Sequence, residues 1–102
     1  MLNQTIVVGR LVERPIIEET ENGEKIAIVK LAVTRSFKNS EGEYETDFIP
    51  CILWNSIAKT TCEYCRKGDL IGIKGKIQCT TDKVQVVAEK ITFLSSKQTE
   101  EA

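Results

Sequence analysis

The chain contains no histidine in 102 residues. That removes the side chain that most often acts as general acid or base and as neutral metal ligand near pH 7. No paired carboxylates and no nucleophile–base set stand in for it, so neither catalysis nor a cofactor is expected. Long apolar runs are missing as well, and nothing approaches the roughly 20 residues of a membrane-spanning helix. The opening MLNQTIVVGRL has no basic start, and IVV is too short for the apolar centre of a signal peptide. A cytoplasmic location is therefore expected, with the four cysteines present as thiols. Net charge is only −1, which gives no overall attraction to polyanions. Charge is unevenly distributed, however. Acids gather at Glu18, Glu19, Glu21, Glu24, Glu41, Glu43, Glu45 and Asp47, in the expected turns, while Arg10, Lys30, Arg35, Lys74 and Lys76 fall within expected strands. A binding surface needs local positive potential rather than a basic whole.

Aromatic residues are also few, six in all, yet Phe37, Tyr44, Phe48 and Trp54 fall in one stretch, Thr34 to Ser56. Its strand-like ends flank a polar middle containing Gly42, which predicts a long hairpin turning near Ser40-Glu41-Gly42. In its second arm, successive side chains alternate between faces. Ile49, Cys51 and Leu53 then fill a core, while Phe48, Pro50, Ile52 and Trp54 share the opposite parity. Six residues at about 3.3 Å each set the Phe48 and Trp54 rings roughly 20 Å apart along one face. Such rings are either partly buried structural aromatics or a platform on which flat ligands such as nucleobases stack.

The rest of the chain supplies further strands. Thr5 to Val12 is rich in β-branched residues, and Gly9 within it signals a bulge or a close backbone approach. Asn22-Gly23 is a hairpin signal. Lys25 to Ser36 alternates, with Val29, Leu31 and Val33 on one face and Lys30, Ala32 and Thr34 on the other. Ser56 to Arg66 is the expected helix, capped by Ser56 or Asn55 and stopped by Gly68. Leu70 to Gln78 sets Ile71, Ile73 and Ile77 against Lys74, Lys76 and Gln78. A final strand runs from Lys83 to Leu94, with broken alternation near Ala88-Glu89 that suggests a bulge. Five strands with one helix between the third and fourth give an all-β, five-stranded Greek-key barrel of the OB type. The domain is expected over residues 1–94, with a short polar tail over residues 95–102 and one core for the whole chain.

Several segments in order, MLNQTIVVGRL, ENGEKIAIVKLAVTRSF, ETDFIPCILWNSIAK, CEYCRKGDLIGIKGKIQ and VVAEKITFL, resemble the bacterial-type single-stranded DNA-binding proteins. The resemblance spans Met1 to Leu94. It implies an OB fold, a homotetramer (a dimer being the alternative) and sequence-tolerant binding of single-stranded DNA in replication, recombination and repair. It places Phe37, Phe48 and Trp54 at base-stacking positions, with Arg10, Lys30, Arg35, Lys74 and Lys76 as phosphate contacts. Lys38 and Tyr44 are weaker candidates in the hairpin loop. Two departures stand out. The hairpin CTTDKV lacks the further stacking aromatic common in the family. The end of the sequence carries only Glu100 and Glu101, so recruitment of repair proteins through an acidic, aromatic-tipped tail is not supported.

Cys62-Glu63-Tyr64-Cys65 is a lone C-x-x-C, with Cys51 and Cys79 assigned to core parity. One such pair within a helix does not make the two knuckles of a structural zinc site. Buried thiols acting as small hydrophobes are the expectation. Three other readings stay open at this point: a primosome-type OB accessory protein, an OB protein-interaction module with weak DNA binding, and a metal or redox protein resting on the cysteines.

Overall fold

The computed structural model describes residues 1–95. Its elements are β1 (Thr5–Leu11), the two-residue β2 (Glu18–Glu19), β3 (Lys25–Lys38), β4 (Tyr44–Trp54), α1 (Asn55–Tyr64), β5 (Leu70–Cys79) and β6 (Val84–Ser95). The sheet order is β1-β5-β6-β4-β3-β2, and a β1–β3 pairing closes the five long strands into a barrel. The single helix lies between the third and fourth long strands, as the OB plan requires. All pairings are antiparallel except the short parallel seam of β4 with β6, at Cys51–Val86 and Ile52–Val87. Strand β6 extends to Ser95, one residue past its expected end. The rest of the expected tail lies outside the described residues.

The expected alternation builds the core. Val29, Leu31, Cys51, Leu53, Ile71 and Ile73 are buried from three strands, with Val7, Leu11, Val86 and Ala88 from the other two. Fully burying one such Leu or Ile contributes about 1.5–3 kcal/mol. The helix covers one end of the barrel through Ala58 and Thr61.

Closure depends on β1 serving two neighbours. Thr5 to Arg10 pair with β5, while Arg10 and Leu11 pair with β3. Where β1 crosses, a β-carbon at Gly9 would lie 2.7 Å from the Ala32 carbonyl oxygen and 2.9 Å from Val33 Cγ2. Gly9 is thus a close backbone approach, one of the two alternatives its position in the strand allowed.

Both hairpin loops on either side of β3 follow one design. The amide of Thr20 donates to the Glu24 carbonyl (2.8 Å), and that of Asn39 to the Glu43 carbonyl (2.7 Å). The fourth residue of each loop, Gly23 or Gly42, has φ near +80°. Thr20 Oγ1 accepts from the Glu24 amide, and Asn39 Oδ1 from the Glu43 amide. Asn22 does not take a positive φ, so its hairpin is not the two-residue turn that Asn-Gly suggests.

Three local expectations need correction. The helix ends at Tyr64, two residues early, because Cys65 is already extended (φ −109°, ψ 150°). Trp54 occupies the N-cap position with no side-chain bond, and Asn55 does not cap. Asn55 instead turns to φ 52°, accepting from the Lys25 amide at 3.2 Å and donating to Glu24 at 3.4 Å. Finally, Ile77 and Cys79 are exposed despite core parity. From Lys76 onward both parities of β5 are exposed, because the strand has run past the last core layer.

Candidate nucleic-acid interface

Register places the candidate residues on one outer surface. Across β1, β3 and β4, Arg10 lies opposite Ala32 and Ala32 opposite Phe48. Two residues along, Lys30 faces Pro50, then Ile28 faces Ile52, and Ile26 faces Trp54. The row through Ile52 continues to Val87 of β6 and Lys76 of β5. Strands about 4.8 Å apart put Arg10 and Lys76 each roughly 10 Å from β4, on opposite flanks. Phe48 is 58% exposed and Ile28 is also exposed, while Trp54 is half-buried at the junction with α1. The inward parity of the same β4 segment, Cys51 and Leu53, is fully buried. Phe48 therefore faces water on a strand whose opposite face is anchored in the core.

The remaining candidates are arranged differently. Phe37 is 79% exposed and lies between Thr34 and Lys38, where the β3–β4 register slips. Lys38 Nζ sits 5.7 Å from the centre of the Tyr44 ring, a cation–π contact within the hairpin. Arg35 points to the other side of the hairpin from Thr46 and Phe48. Its Nε and Nη2 each donate to Asp47 at 2.9 Å, and Nη1 lies 3.3 Å from Glu45. The hydrogen bonds and charge of Asp47 hold the guanidinium even more firmly protonated, and the same bonds push the Asp47 carboxyl below its usual range. Any phosphate contact by Arg35 must displace two carboxylates. Arg10 Nη1 donates to the Gly68 carbonyl at 2.9 Å, which leaves its charge unneutralised. Lys74 and Lys76 are exposed on β5.

Alternation alone did not reveal how apolar this surface is. Ile28 and Ile52 lie directly opposite one another on it, and Ile52 is only 8% exposed. Its outward parity is covered by the Val87 strand, a neighbour that only the barrel topology supplies. A groove of about 530 Å³ borders the same surface, lined by Val12, Arg14, Ile16, Ile28 and Lys30 among others. A second, more apolar cavity of about 530 Å³ lies elsewhere, between the end of α1 and the end of β6. Tyr64 and Phe93 form part of its wall, their ring centres 6.4 Å apart.

The cysteines do not converge. Cys51 is in the core, Cys65 is buried at the helix end, Cys62 is half-buried and Cys79 is exposed. Burial pushes the Cys51 thiol up to about 12. Burial, with the charges of Asp69 and Cys62, pushes Cys65 up to about 11. Cys62 is raised by burial and partly offset by Arg14. These directions oppose thiolate chemistry. Among the described residues, no three His, Cys, Asp or Glu side chains are placed to hold a metal ion. No described helix is long and apolar enough to cross a membrane.

Known proteins resemble this chain throughout its length. Single-stranded DNA-binding protein B of Bacillus subtilis is 40% identical, with 100% of this chain and 98% of that protein aligned. Single-stranded DNA-binding protein 3 of Listeria innocua is 37% identical over 96% of this chain and 67% of its own length. The single-stranded DNA-binding protein of Bacillus cereus is 38% identical over 95% of this chain and 62% of its own length. A model of the single-strand binding protein family matches residues 2–95. With its closed OB barrel, the chain belongs to the single-strand binding protein family.

Proposed function

We infer that this chain binds single-stranded DNA with little sequence preference, stacking bases on aromatic rings and holding phosphates on the cations beside them. The observation that carries this reading is the surface shared by Arg10, Lys30, Phe48, Trp54 and Lys76, set on strands whose reverse side is core. Every base has a π-face, so stacking is tolerant of sequence and contributes roughly 1–3 kcal/mol per base. Phe37 and Lys74 extend the path, and Arg35 joins it on release from its carboxylates. No catalytic step belongs to this reading. In the cell it is a cytoplasmic role in replication, recombination and repair.

The same reading includes assembly into a homotetramer. Ile6 (71% exposed) and Val8 lie on the outer face of β1. Val8 and Leu94 approach one another across Gly72, which has no side chain of its own. This apolar strip suits burial against a second copy. Light scattering separates tetramer from dimer.

Trp54 is the sole tryptophan, so titration with oligo-dT is expected to quench its fluorescence. Replacing Phe37, Phe48 and Trp54 together by alanine is expected to weaken binding by two to three decades or more, from about 1–3 kcal/mol per stacked base. Unchanged affinity in a folded triple variant would refute the aromatic platform. Affinity of micromolar or weaker for a long strand at low salt would favour a protein-interaction module. The short Thr80–Lys83 turn, without an aromatic, is the observation on that side.

A further inference from the structure

One pair on the outer surface of β5 and β6 has the wrong charges for structural purposes. Lys74 lies directly opposite Lys90, and both are exposed. Like charges directly opposite in an antiparallel pair are destabilising. The neighbours on this surface offer no relief, since Lys74 is also opposite Ile6 of β1, and Gly72 and Lys76 flank it along β5. Among the described residues, the ion pairs are those of Lys25 and Arg35, and neither lysine takes part.

The local register creates this pair. From Gly75 to Cys79 the partners are Ala88 back to Val84, and the same register carried one residue further would set Lys74 opposite Glu89. A slip between Lys74 and Gly75 makes Glu89 the extra residue of a bulge and substitutes Lys90. A complementary Lys–Glu pair is thereby replaced by two lysines. Gly75 permits the slip, because a β-carbon there would collide with the Val87 carbonyl oxygen. Bulges commonly re-aim a side chain in this way.

We propose that Lys90 is a nucleic-acid-binding residue, completing with Lys74 and Lys76 a cradle for backbone phosphate on β5 and β6. This rests on the single-stranded DNA reading above, and adds to it a residue and the bulge that presents it. Lys74 and Lys76 are two residues apart, about 7 Å along the strand, and Lys76 shares a row with Val87 and Ile52. The cradle therefore continues the aromatic surface across β6. A phosphate between Lys74 and Lys90 turns their mutual repulsion into two favourable contacts, so the unfavourable term exists only in the free protein.

The test compares Lys90→Ala, Lys74→Ala and the double variant with the unmodified chain, measuring oligo-dT affinity across salt concentration and thermal midpoint without DNA. Each single variant is expected to bind several-fold more weakly at low salt and to flatten the log–log salt slope by about 0.7. Its thermal midpoint should be unchanged or higher. Tryptophan quenching at saturation should be retained, which separates the cradle from the stacking platform. Lys90→Arg should preserve affinity. A Lys90→Ala protein with unaltered slope and affinity would overturn the cradle while leaving the stacking reading intact. Absence of oligo-dT binding by the unmodified chain would overturn both. A lowered midpoint with an unaltered slope would make Lys90 structural and also overturn the proposal.

Discussion

The guanidinium of Arg35 grips Asp47 through two parallel hydrogen bonds of 2.9 Å, with Glu45 3.3 Å from its third nitrogen. A cation held by two carboxylates attracts a phosphate far less than a free one does. Asp47→Asn, alone or with Glu45→Gln, should therefore release Arg35 and strengthen oligo-dT binding. The salt slope should steepen by about 0.7 for the added phosphate contact. Filter binding or fluorescence titration at several salt concentrations reads both effects. Weaker binding by Asp47→Asn would mean that the ion pair orders the hairpin for DNA.

The same pair predicts a pH response. The Asp47 carboxyl is depressed by its bonds from Arg35, so its contribution to stability is present above the unfolded-state value near 3.9. It is lost as pH falls through the lower folded value. Denaturation curves of the parent should lose stability in strong acid, and Asp47→Asn should lose less over that range.

Two glycines of β5 should respond differently to alanine. At Gly75 the new methyl meets the Val87 carbonyl, a rigid backbone atom. Gly75→Ala should cost about 3 kcal/mol or more and disturb the bulge. At Gly72 the methyl would find Val8 Cγ2 at 3.6 Å and Leu94 Cδ1 at 3.7 Å, ordinary contacts. Gly72→Ala should change the unfolding free energy by less than about 1 kcal/mol. Urea denaturation of both variants checks the contrast.

Thiol labelling should follow burial. At neutral pH an alkylating reagent should reach the exposed Cys79 first and Cys51 only after unfolding. The Cys51 and Cys65 thiols are pushed up to about 12 and about 11 from 9.0. A raised acid contributes stability that is complete below its unfolded value and declines as pH rises toward the folded one. The fold should accordingly weaken above about pH 9, and Cys51→Ala, though less stable at pH 7, should show a smaller alkaline decline.

Much of this architecture could be read from strand alternation. Val29, Leu31, Cys51 and Leu53 were legible because one face of each strand meets the core and the other does not. The bulge near Ala88-Glu89 was legible as a break in that pattern. What it re-aims was not, since parity beyond a bulge follows only from the partner register, and Lys90 went unrecognised. Parity also overstated the burial of Ile77 and Cys79, because alternation does not mark where a strand outruns its core. The Asn55 cap failed for a related reason. Its side chain is committed to Lys25 and Glu24, thirty residues away in sequence and adjacent in space. Of the interface, the rings and the β3 and β5 lysines were legible, whereas the engagement of Arg35 depends on a cross-strand neighbour.

The parallel seam at Cys51–Val86 and Ile52–Val87 joins two antiparallel halves of the barrel. One half, β3 with β4, carries Phe37, Phe48, Trp54 and Lys30; the other, β5 with β6, carries Lys74, Lys76 and Lys90. Each half is a hairpin of near neighbours, but the seam links residues 35 apart in the chain. Such non-local closure forms slowly, after the local pairings are in place. Rings and lysines thus share a surface only in the finished barrel, and a half-folded chain offers a polynucleotide at most one part of its grip. Refolding followed by recovered DNA affinity should trail refolding followed by hairpin formation.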